Sequence, residues 1–190
     1  SDLPPRLLNS HKGSFGWLLV AGSETGMSGA VRLCGEAALR SGAGKVTIAT
    51  REEHAGLINL GCPELMVRGT EQSEALVPLL QDVDVLAVGT GLGRTQWSRE
   101  MLKTCLSAPC PMVVDADGLN VLAELAPSMS DDELPLERWI LTPHPAEAGR
   151  LTGLHSREVQ QDRGGTALEL AAKFQAVVAL KGCGTVIAAP

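Results

Sequence analysis

The chain predicts a layered α/β fold with a mostly parallel central sheet. Three observations carry that expectation. Short apolar runs alternate with longer amphipathic ones along the whole chain. The first five apolar runs are continuous rather than alternating, as in parallel strands covered on both faces. Glycine-rich and small polar segments fall just after the apolar runs, where a strand hands over to a helix.

The strands read in order are "WLLVAG" (17–22), "KVTIAT" (45–50), "VDVLAVG" (83–89), "PMVVDA" (111–116), "WILT" (139–142), "AVVALKG" (176–182) and "TVIAAP" (185–190), with a shorter one at "ELMVRG" (64–69). The clearest helix lies in 28–44. There Val31, Cys34 and Ala38 recur at helical spacing, and "GAG" after Ser41 supplies a stop. Further helices are expected at 51–60, 73–81, 96–106, 119–125, 146–151 and 157–174. Residues 124–137 read as a polar, proline-punctuated loop. Residues 1–10 read as a linker leading into a single domain over 11–190.

Composition narrows the function classes. A chain of 190 residues with 44% hydrophobic and 20% charged residues is an ordinary globular domain. Aromatic residues are only 3%, with no tyrosine, so the core must be aliphatic. Sixteen basic against twenty-two acidic residues give −6, which argues against nucleic acid or an anionic membrane as partner. A small anion in a local pocket remains compatible with that charge. The five cysteines are odd in number and form no C-x-x-C pair, which fits a reduced cytoplasmic protein rather than a disulfide scaffold or zinc site. No apolar run approaches a membrane span, and the polar opening "SDLPPRLLNSHKG" does not read as a signal peptide.

In open α/β sheets ligands gather beyond the carboxyl ends of the strands. Five strand exits therefore matter. "AGSETGMSGAVRL" (21–33) joins strand to helix with small residues, letting a ligand approach the backbone; it also serves as a plain connection. "VGTGLGRTQ" (88–96), with Asp115 ending the next strand, is half of a dinucleotide fingerprint, broken by Arg94 at the third glycine position. "VVDADGLNVL" (113–122) places Asp115 and Asp117 at a turn, where both can converge on Mg²⁺ through water. The alternative there is helix capping by Asp117 or Asn120. "LTPHPAEAGRL" (141–151) locks His144 between Pro143 and Pro145, with Pro145 suited to the first helical position. "LKGCGTVI" (180–187) reads as a hairpin in which Lys181 and the turn backbone can hold a phosphate, or in which the lysine is merely solvated. "HKG" (11–13) is either linker or site rim.

Taken together and in this order, "SHKGSFGWLLVAGSETGMSGA", "AALRSGAGKVTIAT", "PELMV", "VGTGLG", "DADGLNVL", "LTPHPAEAGRL" and "ALKGCGTVIAAP" resemble the ADP-dependent NAD(P)H-hydrate dehydratases, the YjeF C-terminal domains of ribokinase-like fold. The resemblance runs from about residue 10 to the last residue. It implies a nucleotide-repair lyase. Hydrated NADH or NADPH is phosphorylated on its ring hydroxyl at the expense of ADP (ATP in some branches) with Mg²⁺, and elimination restores the double bond. Carried over by motif, Ala30, Gly91, Gly93 and His144 would line the hydrated-nucleotide site, and Lys181, Gly182, Cys183, Gly184 and Thr185 would bind the ADP. A homo-oligomer and a fused upstream epimerase domain are further implications.

Three departures from the family pattern stand out. Thr90 replaces the proline of "GPGLG", and Ala146 replaces the glycine of "TPHPGE". The "GxGD" motif, whose aspartate would be the base, is absent from 1–190. The expectation is therefore an incomplete ribokinase-like domain whose base lies outside this chain. Three rival readings follow: a non-catalytic nucleotide-binding relative, a nicotinamide-dependent oxidoreductase built on the half fingerprint, and a ribokinase-like small-molecule kinase.

Overall fold

A computed structural model describes residues 6–129 and 138–190. Eight strands form one sheet: β1 (Trp17–Ala21), β2 (Lys45–Thr50), β3 (Met66–Gly69), β4 (Val85–Val88), β5 (Met112–Val114), β6 (Trp139–Leu141), β7 (Val177–Leu180) and β8 (Val186–Ala188). Their order is β3-β2-β1-β4-β5-β6-β7-β8. All neighbours run parallel except β7 and β8, which form the expected hairpin. From β1 the chain winds outward through β2 to β3, then returns to β4 on the other side. That reversal puts the switch point of the sheet between β1 and β4, the place where such sheets take ligands.

The helices are α1 (Ser28–Ser41), α2 (Glu52–Ala55), α3 (Val77–Asp82), α4 (Gln96–Leu106), α5 (Asp117–Leu125), α6 (Pro145–Thr152), α7 (Ser156–Gln161) and α8 (Arg163–Phe174). Helix α1 ends where Gly42 adopts a left-handed conformation and its N–H closes on Ala38 and Leu39. Thr95 and Ser98 form a reciprocal cap at the start of α4.

Successive residues of β1 feed two cores. Leu19 joins a cluster with Leu86, Met101, Leu119 and Phe174, and Val20 joins one with Val31, Ile48 and Leu65. Both are fully buried, each burial stabilising by about 1.5–3 kcal/mol. Covering of both faces does not extend across the sheet. Among the described residues, Ile140 of β6 and Ile187 of β8 are 41% and 66% exposed.

Several boundaries differ from expectation. The helix expected at 51–60 is the four-residue α2 followed by a 3-10 turn, Ile58–Gly61. The one expected at 73–81 opens as a 3-10 turn, Ser73–Leu76, before α3. The single helix expected at 157–174 is two, because Asp162 leaves helical geometry and its carboxylate accepts the Gly165 N–H at 2.8 Å, capping α8. Within 124–137, helix α5 continues to Leu125 and a 3-10 turn spans Ala126–Ser128; residues 130–137 lie outside the described residues, as do 1–5 of the expected linker. Arg6 is tied to the domain, donating to the Gly42 carbonyl at 2.8 Å and stacking over Phe15. His11 and Lys12 precede β1, and Lys12 packs against Gly44 before β2, so "HKG" sits at the opposite edge from the strand exits and is not a site rim.

Candidate functional site

Local sequence fixes each strand exit, and the exits then lock to one another. After β1, Ser23 takes a left-handed conformation with φ +63°. Its hydroxyl donates to Met27 O at 2.6 Å and its carbonyl accepts from Thr50 at 3.1 Å, which together hold the strain. The Ser23 and Glu24 N–H groups donate to Thr90 and Gly91 carbonyls at 3.1 and 2.7 Å, zipping the β1 exit to the β4 exit. Space there is minimal. A β-carbon on Gly91 would lie 2.9 Å from that of Ala30, and one on Gly22 would collide with the Thr90 carbonyl.

Buried Glu24 braces the same junction. It accepts from Arg51 at 2.6 Å, from the Thr95 hydroxyl, and from the Thr25 N–H at 2.9 Å. Burial pushes its carboxyl up, but these donors outweigh burial and hold it below the ordinary value. Arg51 also reaches Glu71 at 2.6 Å and stacks over Trp97.

The β4 and β5 exits join through Asp117, whose carboxylate accepts from the Gly93 N–H at 3.0 Å and from Asn120 at 3.1 Å. The capping alternative for this turn is corrected. Asp117 is the first residue of α5, and Ala116, at φ +50° with no side-chain cap bond, stands at the N-cap. The two carboxylates answer to different partners, since Asp115 pairs with Lys181 at 2.5 Å. Burial raises the Asp115 carboxyl; hydrogen bonds from Lys181 and Thr142 outweigh it and hold it below the usual range. Among the described residues, no three His, Cys, Asp or Glu side chains gather as metal ligands.

At the β6 exit, His144 caps α6. Its Nδ1 accepts from the Ala146 and Glu147 N–H groups at 3.1 and 3.3 Å, so Nε2 carries the proton and faces Glu147 Oε1 at 3.1 Å. The buried Glu147 carboxylate also accepts from the His144 N–H at 2.8 Å and lies 4.0 Å from Lys181 Nζ. The imidazole is half exposed yet fixed in orientation and tautomer. Lys181 is tied in turn, its N–H donating to Pro143 O at 2.8 Å. Beyond it, Gly182, Cys183, Gly184 and Thr185 form an exposed turn.

All five exits singled out in the sequence thus line one edge, in the order Ala30, Gly91 and Gly93, Asp117, Asp115, His144, and Lys181 through Thr185. Sequence reasoning missed Glu24, Glu147 and Arg163. Glu147 had a local signal, a carboxylate three residues after the capping position. Glu24 acts through Arg51 and Thr95, and Arg163 through the Leu180 and Cys183 carbonyls, to which its guanidinium donates; these partners are distant in sequence and gave no signal. The five cysteines are free; burial and neighbouring Cys110 push Cys105 up to about 12, which makes it unreactive.

A family model described as NAD(P)H-hydrate dehydratase matches residues 17–190. A bifunctional NAD(P)H-hydrate repair enzyme of Coxiella burnetii is 47% identical over 185 residues, covering 97% of this chain and 36% of the relative. A ribokinase-like superfamily protein of Enterococcus faecalis superposes with a TM-score of 0.86 at 27% identity, covering 97% of this chain and 64% of that one. An ADP/ATP-dependent NAD(P)H-hydrate dehydratase of Bacillus subtilis, co-crystallised with ATP/Mg²⁺, gives 0.80 at 36% identity, covering 99% and 65%. The chain therefore spans about a third of the bifunctional relative and about two thirds of these two solved structures.

Proposed function

The chain belongs to the NAD(P)H-hydrate dehydratase family, and from that premise we propose that it forms part of an enzyme that returns hydrated NADH and NADPH to their active forms at the expense of ADP. The oxidoreductase reading is set aside by that membership. In the proposed reaction the ring hydroxyl oxygen attacks the terminal phosphorus of ADP, AMP leaves, and the hydroxyl proton passes to a base. Phosphate then departs with the ring C–O bond, and loss of a ring proton restores the double bond. Positioning and charge carry such a transfer.

The observation that carries this reading is the continuous row of exits. At one end, Ala30, Gly91 and Gly93 keep the β1 and β4 exits free of bulky side chains, so that a ligand can approach the backbone. In the middle, His144 presents an imidazole fixed by Glu147. At the other end, Lys181 and its turn offer a cation and backbone donors to phosphate. Lys181 is held by Asp115, so a phosphate must compete with that carboxylate. Asp115 and Asp117 would be the carboxylates offered to Mg²⁺, each at the cost of a present partner, and the ion would supply charge neutralisation of the transferring phosphoryl group. The resemblance implies a base in a Gly-x-Gly-Asp motif, which residues 1–190 do not contain.

Two further expectations belong to this reading. The reduced cysteines support a cytoplasmic setting, and among the described residues no helix is long and apolar enough to cross a membrane. The bifunctional relative supports a fused epimerase domain, and self-assembly into a homo-oligomer is expected alongside it.

Calorimetric titration of two variants tests the division of labour. Lys181→Ala is expected to weaken ADP about tenfold or more, equivalent to ~1.4 kcal/mol, and leave hydrated NADH unchanged. Ala30→Leu is expected to do the reverse by placing a bulky side chain at the β1 and β4 exits. Equal effects of both variants on both ligands would contradict two separate subsites.

A further inference from the structure

The proposed phosphate-binding turn, Lys181–Thr185, is exposed and contains two glycines, so its shape must be imposed from outside. The structure shows what imposes it. Arg163, the first residue of α8, donates from Nη1 to the Cys183 carbonyl and from Nη2 to the Leu180 carbonyl, both at 3.0 Å. These two carbonyls bracket the turn. Gly182 rests directly on the guanidinium, where an added β-carbon would lie 2.7 Å from Nη2 and 2.9 Å from Cζ. The helix beneath is anchored by buried Thr166, Ala167 and Leu170.

The peptide plane gives this tether a direction. In a trans peptide the carbonyl and the following N–H point opposite ways. With the Leu180 carbonyl on Arg163, the Lys181 N–H points away from α8, and it meets Pro143 O at 2.8 Å. With the Cys183 carbonyl on Arg163, the Gly184 N–H also points away from α8. The N–H groups of Gly182, Cys183, Gly184 and Thr185 donate no hydrogen bond among the described residues. Unpaired N–H groups on a glycine-rich turn, beside Lys181, form an anion-accepting concavity.

We propose that Arg163 is a positioning residue for nucleotide binding: by holding the Leu180 and Cys183 carbonyls it fixes the turn with its N–H groups aimed at the ADP phosphates. This rests on the reading that the turn takes ADP. Arg163 itself faces the back of the turn and need not touch the nucleotide. Its planar fork spans both carbonyls, which a lysine ammonium does not.

The test compares wild type, Arg163→Ala and Arg163→Lys by amide NMR relaxation without ligand, and by ADP titration followed on the same amides. Lys181→Ala serves as the nucleotide control. In Arg163→Ala the amides of Gly182–Thr185 are expected to become mobile on the picosecond–nanosecond scale while those of α8 keep their order. ADP affinity is expected to fall about tenfold, and Arg163→Lys to recover part of it. A turn that stays ordered in Arg163→Ala overturns the proposal. So does a mobile turn with unchanged ADP affinity. Failure of ADP to shift the turn amides of wild type, with Lys181→Ala the same, overturns the nucleotide reading and the proposal with it. The ligand-free relaxation separates that outcome from a failure of the tether.

Discussion

Thr90 stands in the "GTGLG" loop with its carbonyl on Ser23 and its hydroxyl buried without a partner among the described residues. A buried hydroxyl that makes no hydrogen bond keeps its desolvation cost. Thr90→Val has nearly the same shape and removes the orphan. It is expected to raise stability by about 1 kcal/mol, read as a higher urea midpoint at unchanged slope. A lower midpoint would show that the hydroxyl has a partner. The oddity of Thr90 was visible in the sequence only as a departure from the family pattern; its cost required coordinates. His144 divides similarly. The flanking prolines announced a rigid turn, but not that both ring nitrogens are committed to the start of α6. Glu147 is the reason the ring is rigid, and its burial beside a histidine and a lysine could not be read from spacing alone.

At the scale of elements, the exits of β5 and β7 are joined by the Asp115–Lys181 pair. The Asp115 carboxyl lies below its ordinary value, so the linkage has a definite sign. The contribution of the pair is fully present above the unfolded carboxylate value and is lost as pH falls through the lowered folded value. Stability of wild type is expected to decline over that acid range more steeply than that of Asp115→Asn. Parallel pH curves for the two proteins would show that the pair contributes nothing, as solvent-screened pairs often do. The parallel strands and the main helices were legible because their apolar periods are long and clean. The break at Asp162 was not, since a side chain capping a new helix competes with propensity only once the chain is folded; the break at 56–57 carries no side-chain cap and left no signal of that kind.

Across the whole molecule, one reversal of strand order places five separately ambiguous loops along a single edge. That convergence was expected from the α/β pattern, and it gives each loop a meaning that it lacks alone. The edge also divides chemically, with close backbone packing braced by the Glu24–Arg51 pair at the β1–β4 exits and the half-exposed Lys181 cation at the β5–β7 end. Glu24 and Arg163 brace the two ends from positions far away in sequence, which is why neither was legible there. The ribokinase-like architecture and the family follow from the fold and the comparisons. The proposed reaction uses the two ends together.

The measurement that tests this most directly follows the return of NADH absorbance from hydrated NADH, with and without ADP and Mg²⁺. It is run on residues 1–190 and on an extended polypeptide carrying a Gly-x-Gly-Asp motif beyond Pro190. Recovery is expected to require ADP, to occur in the extended polypeptide and to fall sharply in its Lys181→Ala variant. Recovery independent of ADP, or none in either polypeptide, would contradict the proposed reaction.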